Sequence, residues 1–428
     1  MGDLMNPTTI QVIGATLFAI AILHTFSVSF IVRLAGKYPT HAKLWELFAE
    51  VEFAFGLWAG VLLVFIALTA QGSEKGSFLA VTEYLESRSF TEPLFVLAIM
   101  IVAASRPVLL FASAVTQAVS RLLPMPRAIA FYFTLLAVVP LLSSLITEPA
   151  AMTLAAMILK ETYYRKGMST RLMYATIGVL FVNISIGGTL TSFAAPPVLM
   201  VAKTWQWDSL FMLTNIGWRS ALAVFVNALA VSLFFRRELL GFEIEDGNGR
   251  SDVSIPVIAL HLAFLVLIVL FVHHPYVFIC ILLMFLAFAR AYPRFQDRLI
   301  LRESLMVSCF LAGLVTLGGQ QSWWLQPLLT SMSSSAVYYG ATALTAVTDN
   351  AALTYLGSLV EGLSNEFKYA LLTGAVTGGG LTIIANAPNP AGVSILQEHY
   401  KDGKVSPLGL LAAAALPTLV AIVAFRLI

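Results

Sequence analysis

Two acidic residues stand in strongly apolar sequence, and each lies within almost the same phrase. The first phrase is Thr147-Glu148-Pro149-Ala150-Ala151, and the second is Thr348-Asp349-Asn350-Ala351-Ala352. Ionisable side chains cost about 2.5–3.5 kcal/mol at the centre of a membrane helix, so those found there mark ion or substrate pathways. Carboxylate, amide and hydroxyl oxygens are hard ligands, and they suit a small cation or a proton.

A second, glycine-rich phrase follows each acid. Gly187-Gly188-Thr189-Leu190-Thr191 leads to Pro196-Pro197, and Gly379-Gly380-Leu381-Thr382 leads to Pro388-Asn389-Pro390. Glycine allows the backbone to bend and proline ends a helix, so both phrases predict an interrupted helix with free carbonyl groups. This order of acid and break, present twice, is typical of a secondary transporter with two related half-sites.

Composition defines the class of protein. The chain of 428 residues is 59% hydrophobic and 11% charged, whereas soluble domains carry about 25% charged residues. It is therefore expected to be an all-α polytopic membrane protein. The net charge of +2 does not indicate nucleic-acid binding, and two cysteines do not make a disulfide or metal framework. The sequence shows no nucleophile–base set, so we expect neither an enzyme nor a cofactor.

Ten apolar runs are long enough to be membrane spans. They lie near 8–34, 46–70, 92–120, 172–201, 208–235, 255–272, 275–291, 303–319, 366–398 and 405–427. Two further runs, 128–159 and 335–362, are broken midway by the acidic phrases. Each of these two predicts a re-entrant helical hairpin, because such a hairpin keeps the acid away from lipid.

The distribution of basic residues predicts the orientation. If both hairpins re-enter, most of the 25 Lys and Arg residues fall in loops on one side, which the positive-inside rule makes cytoplasmic. The opposite loops then hold Lys75, Arg88, Lys203, Lys368 and Arg426. Both termini are predicted outside, and residues 1–236 and 255–428 become inverted repeats joined by a cytoplasmic linker at 237–254. Inverted repeats provide the two conformations of alternating access.

These motifs resemble those of the ion transporter superfamily and, within it, the bacterial Na⁺/H⁺ antiporter family of about this length. The resemblance implies a homodimer in the bacterial inner membrane, with a scaffold and a transport domain that slides against it. It also implies ion-binding positions at the hairpin tips and interrupted helices, namely Thr147, Glu148, Gly188, Thr189, Thr191, Thr348, Asp349, Asn350, Gly380, Thr382, Asn386 and Asn389.

The leading functional hypothesis is exchange of Na⁺, Li⁺ or K⁺ for H⁺. Deprotonated Asp349, with Asn350 and Glu148, is expected to bind the alkali cation, and protonation is expected to release it. The first half-site is expected to be the weaker one, since Pro149 replaces the amide of Asn350 and no Asn follows Pro196-Pro197.

The alternative is an anion carrier of the same fold, for a dicarboxylate or an oxyanion. Anion-carrying relatives place neutral side chains at both tips, whereas two carboxylates would repel an anion. A channel or a sensor is a third class, which the duplicated halves disfavour.

Overall fold

The computed structural model describes residues 7–71, 76–244 and 253–428, and within these ranges its regular structure is entirely helical. Lys75 and the central part of the predicted linker 237–254 lie outside the described residues. The first half contains α1 (Thr9–Phe26), α2 (Val28–Lys37), α3 (Ala42–Phe48), α4 (Val51–Thr69), α5 (Gly76–Glu86), α6 (Thr91–Ala103), α7 (Arg106–Leu122), α8 (Arg127–Ile146), α9 (Glu148–Thr162), α10 (Thr170–Gly187), α11 (Pro196–Trp205), α12 (Ser209–Met212), α13 (Trp218–Phe234) and α14 (Arg236–Leu239). The second half contains α15 (Ile255–Leu270), α16 (Pro275–Ala291), α17 (Leu301–Gly318), α18 (Ser322–Thr330), α19 (Ser334–Thr345), α20 (Asn350–Ser358), α21 (Asn365–Gly378), α22 (Asn389–Leu396) and α23 (Pro407–Arg426).

Caps, prolines and glycines set the ends of the helices that matter most. Ser169, Ser333 and Ser406 each accept a backbone N–H from the first turn of α10, α19 and α23, which satisfies a donor that a helix leaves unpaired. Prolines occupy the first turn of α9, α11 and α22, where their missing N–H is not needed. At the glycine-rich phrases, α10 ends at Gly187 and α21 ends at Gly378.

The helices that are long and apolar enough to cross a membrane show a multi-pass membrane protein. Among the described residues there are seven, Thr9–Phe26, Glu52–Thr69, Arg127–Ile146, Thr170–Leu190, Ser209–Phe234, Leu301–Gly318 and Pro407–Arg426. The pair α6 and α7 would make an eighth, although the chain bends by 68° between them. The predicted spans at 255–272 and 275–291 form shorter helices of 16 and 17 residues, and the run 366–398 is divided between α21 and α22.

Two compact units can be recognised, and each draws on both halves of the sequence. The first comprises Met1–Leu97, Leu301–Met332 and Tyr355–Ser364. In this unit α4 packs against α1 and α17. Gly313 of α17 lies directly against the backbone of Phe55, a close approach that small residues allow between membrane helices.

The second unit comprises Ala98–Ile300, Ser333–Thr354 and Asn365–Ile428, and it holds every predicted site residue. Helix α10 is its centre and packs against α8, α13 and α23. Every α10 side chain from Thr176 onward is buried. Helix α19 packs on α21, and α22 packs on α9, so elements from both halves of the chain surround α10.

Candidate functional site

The first acidic phrase forms a sharp turn between α8 and α9. Thr147 is the single residue between the two helices, and its φ is +72°. This region of the backbone map disfavours β-branched residues, so the turn carries strain of about 1–3 kcal/mol. Thr147 is buried, and its hydroxyl has no hydrogen-bond partner among the described residues.

Glu148, the next residue, is fully buried. Its Oε2 accepts a hydrogen bond of 2.9 Å from the Asn386 side chain. Its Oε1 faces Gly188, where an added Cβ would lie only 2.6 Å from the oxygen, and it has no hydrogen-bond partner among the described residues. Because Gly188 has no side chain, it leaves room for the Glu148 carboxylate.

The first interrupted segment is tied to α8 and α13. Ser144 of α8 accepts the Leu190 N–H at 3.0 Å and donates to the Gly187 carbonyl at 2.7 Å. The Thr191 hydroxyl donates to the Ser144 carbonyl at 2.7 Å. Thr189 shares a 2.6 Å hydrogen bond with Ser220 of α13, so its hydroxyl is already engaged within the protein.

The second acidic phrase has a different arrangement. The Asp349 Oδ1 accepts the N–H groups of Ala351 at 2.7 Å and Ala352 at 3.3 Å, which is the role of a helix N-cap. The Thr348 hydroxyl donates to the Leu344 carbonyl. Both side chains are partly exposed, whereas the next residue, Asn350, is fully buried.

The second interrupted segment is held mainly by Asn389. Its amide donates to the carbonyls of Gly379 and Thr382, each at 2.8 Å. The Thr382 hydroxyl donates to the Ala346 carbonyl at 2.8 Å, as Thr191 does to Ser144 in the first half. Gly380 lies directly against Val182 of α10, where a Cβ would clash with the backbone.

The two halves of the sequence meet through crossed hydrogen bonds. Glu148 of the first turn bonds to Asn386 of the second interrupted segment. Asn350 of the second turn approaches Ser185 of α10 at 3.4 Å, and its N–H donates to the Ala385 carbonyl. Asp349 is close enough to Glu148 for their charges to interact. The structure thus brings both turns to one region of the second unit.

Several buried oxygens in this region have no hydrogen-bond partner among the described residues. They are Thr147 Oγ1, Glu148 Oε1, Asn350 Oδ1, Asn386 Oδ1 and Asn389 Oδ1. A buried polar atom without a partner is unfavourable, so a group of such oxygens fits a bound cation or proton. Within the described residues, no three His, Cys, Asp or Glu side chains gather as in a transition-metal site.

Sequence reasoning missed three serines that position these elements. Ser144 and Ser220 hold the first interrupted segment, and Ser185 meets Asn350. All three are buried. The sequence signal for them is a small polar residue within an apolar helix, close to a motif. Many such serines bond only to the backbone of their own helix, so this signal alone does not distinguish functional serines from the others.

The fold and this buried polar region define a multi-pass membrane protein with a candidate ion site. The chain belongs to the family described as "Putative Na+/H+ antiporter", whose sequence profile matches residues 9–428. Among solved structures, it is similar to the YdaH transporter of Alcanivorax borkumensis, described as having an unusual topology. That similarity has 14% identity and a TM-score of 0.45, and it covers 88% of this chain and 96% of the other. No curated protein sequence matches the chain.

Proposed function

We propose that this protein is a secondary transporter that exchanges Na⁺, or Li⁺ or K⁺, for H⁺ across the membrane. The observation that carries the proposal is the group of buried oxygens without partners among the described residues, which includes one oxygen of the Glu148 carboxylate. Membership of a family described as Na⁺/H⁺ antiporters supports the same function. The cation and the proton are the transported substrates, and no cofactor is part of the proposal.

The proposed mechanism is competition for a carboxylate. Ionised Glu148 offers Oε1 to the cation, while Asn386 holds Oε2 in place. The side-chain oxygens of Asn350 and Asn386, which have no partner among the described residues, supply further ligands. Protonation of the carboxyl removes its charge and releases the cation, so apparent cation affinity is expected to fall as pH falls. Asp349 adds negative charge nearby.

The hydrogen-bond donors of the site favour a cation over an anion. The Asn386 amide donates to Glu148, and the Asn389 amide donates to two carbonyls. The Asn350 amide is directed to Ser185. Because the buried side-chain atoms of this region that lack a partner among the described residues are all oxygens, a dicarboxylate or an oxyanion would meet repulsion there. The anion carrier is therefore the weaker alternative.

We also propose the finer architecture that the sequence predicts. It has ten spans, two re-entrant hairpins at 128–159 and 335–362, and inverted repeats that support alternating access. In this arrangement α8, although long enough to cross a membrane, re-enters with α9 instead. The protein would act as a homodimer in the inner membrane, with both termini outside. Cysteine accessibility on the two sides of intact vesicles would test the orientation, and cross-linking in membranes would test the dimer.

The function is tested in proteoliposomes that contain a pH-sensitive dye and carry an imposed proton gradient. Addition of Na⁺ or Li⁺ is expected to collapse the gradient in vesicles with the protein, but not in empty vesicles or in those with Glu148→Gln. Citrate serves as the anion control. If alkali cations have no effect and a labelled anion is taken up instead, the anion carrier replaces this proposal.

A further inference from the structure

A cavity of about 550 Å³ lies in the second unit, where α21 begins and α23 ends. Its walls include Phe211, Asn215, Arg219, Tyr369 and Arg426, all of them outside the candidate ion site. Two arginines in one cavity are unusual in an apolar protein, because each carries a permanent charge. The contacts of these two side chains indicate what the cavity could bind.

Arg219 is fixed in place and retains an unused donor. Its guanidinium lies 4.6 Å from the ring centre of Trp218 and 5.7 Å from that of Tyr369, which are distances of cation–π contacts. One of its terminal nitrogens donates to the Asn215 carbonyl. Its Nε is buried and has no partner among the described residues, so the group is positioned before any ligand arrives.

Arg426 is held in a similar way. It donates to the Ser335 hydroxyl at 2.7 Å and lies 5.3 Å from the Tyr338 ring centre. Within the described part of the chain, neither arginine forms an ion pair. Glu366 also lines the cavity, and its carboxylate accepts a hydrogen bond from Ser334. Among the side chains that line the cavity, there are thus two guanidinium groups and one carboxylate.

Exposed apolar side chains lie at the cavity or close to it in the sequence. Leu427, which lines the cavity, is 79% exposed, and Leu210 and Leu213, on either side of the wall residue Phe211, are 68% and 47% exposed. Such side chains suit contact with acyl chains in a membrane protein. Arginine forks match phosphate oxygens in pairs, whether the phosphate is free or part of a headgroup. We propose that this cavity binds a phosphate group, carried either by a phospholipid headgroup or by free phosphate.

The cavity wall continues into the candidate ion site. Asn215 belongs to a π-helical turn, Leu213–Gly217, and such turns occur frequently at functional sites. Gly217 packs against Leu190, and Ser220 bonds to Thr189 at 2.6 Å. A phosphate held by Arg219 would therefore brace the helix that supports the first interrupted segment.

The test uses the full-length protein in detergent. Native mass spectrometry would count bound phosphatidylglycerol and, as a lipid with the same chains but no phosphate, diacylglycerol. Calorimetry with inorganic phosphate forms the second arm. The double variant Arg219→Gln/Arg426→Gln is expected to bind phosphatidylglycerol roughly tenfold or more weakly, because charge-assisted hydrogen bonds are lost. Lys203→Gln, a cation on the same predicted side but outside the cavity, is expected to bind it unchanged.

The two arms identify the source of the phosphate. Binding of phosphatidylglycerol alone, lost in the double variant, assigns the cavity to a lipid. Binding of inorganic phosphate alone, with the same loss, assigns it to the free anion, and binding of both shows that the phosphate group is recognised whatever carries it. Equal binding of diacylglycerol, or full phosphatidylglycerol binding by a double variant, would overturn the proposal. If the double variant does not fold, Arg219→Lys keeps the charge without the fork and is expected to show a partial loss.

Discussion

The two acidic phrases match at four of their five positions, with Thr first, an acid second and Ala at the last two, and yet their carboxylates have different surroundings. Glu148 is fully buried, reaches Asn386 and leaves one oxygen without a partner among the described residues. Asp349 is partly exposed and accepts two N–H groups of its own helix, α20. The shorter Asp side chain suits a helix N-cap, a role that Glu does not favour. The two side chains differ in length by one methylene group. The shorter one, Asp349, caps its own helix, and the longer one, Glu148, reaches another segment.

The neighbouring threonines show the same contrast. Thr147 has a strained, positive φ and a buried hydroxyl without a partner among the described residues. Thr348 bonds to the Leu344 carbonyl one helical turn earlier. Strained backbone and unsatisfied polar atoms persist only where the surrounding structure holds them, and they tend to cluster at functional sites. The comparison therefore favours the first turn as the place where the cation and the proton would bind.

The largest expected effect comes from Glu148→Gln. Loss of the buried charge should weaken apparent Na⁺ affinity by roughly 10- to 100-fold and abolish exchange at low Na⁺, as measured by dye fluorescence in proteoliposomes. Glu161→Gln is the matched control, because Glu161 lies on the same helix and pairs with Arg165 at the surface. Exchange at the normal rate in Glu148→Gln would remove this residue from the site.

A smaller loss is expected for Asn386→Ala. The change deletes the donor to Glu148 Oε2 and one side-chain oxygen of the site. Apparent Na⁺ affinity should fall by roughly tenfold. Ser394→Ala is the control on the helix that follows, α22, since that exposed hydroxyl bonds only to the Ala391 carbonyl among the described residues. Equal Na⁺ titrations for Asn386→Ala and the parent protein would contradict the crossed arrangement.

Asp349→Asn should have a milder effect than Glu148→Gln. Asn is as good an N-cap as Asp, so the unfolding temperature is expected to change little, whereas Asp349→Ala should lose about 1 kcal/mol. Exchange should decrease by a few-fold, because one negative charge near Glu148 is removed. If Asp349→Asn abolishes exchange and Glu148→Gln only shifts its pH dependence, the roles of the two acids are the reverse of those proposed.

The smallest effect is expected at the far end of the contact between α9 and α22. Lys160 bonds to Glu398 at 2.8 Å and holds the pKa of this exposed carboxyl below its ordinary value of 4.5. The resulting stabilisation is complete above the unfolded-state pKa and disappears as pH falls through the folded-state pKa. Glu398→Gln should therefore lower the unfolding temperature slightly at pH 7 and not at all in strong acid. A large decrease in the unfolding temperature of Glu398→Gln at pH 7 would show that this ion pair stabilises the protein more than a solvent-screened surface pair is expected to.

Much of this arrangement was predictable from local chemistry. Apolar runs predict helices, and the glycine and proline phrases predict where α10 and α21 end. The replacement of Asn350 by Pro149 predicts unequal turns, but with the first half-site as the weaker one, whereas our proposal places the cation at Glu148 of the first turn. The bend between α6 and α7 was missed, although Ser105 followed by Pro107 is a helix-start signal, because hydropathy averages across such a break.

The direction of each acidic side chain could not be predicted. Asn386 lies 238 residues beyond Glu148, and no local pattern pairs residues at that separation. The N–H groups that Asp349 Oδ1 accepts lie instead within three residues of it, but capping and substrate binding look alike in a sequence. The length of the side chain, the strain of the backbone and the burial of the carboxyl group distinguish capping from substrate binding. For Glu148, these features are fixed only when α9 packs on α22.

The crossed hydrogen bonds also bear on how such a chain could have arisen. Glu148 and Asn386 come from different halves, as do Asn350 and Ser185. If the chain arose by duplication of a half-length ancestor, that ancestor carried one turn and one interrupted segment, and neither bond could form within a single copy. Two copies would then have been the smallest assembly with both bonds. In that case fusion would have left each turn free to diverge, one toward a helix cap and the other toward a carboxylate that reaches the opposite half.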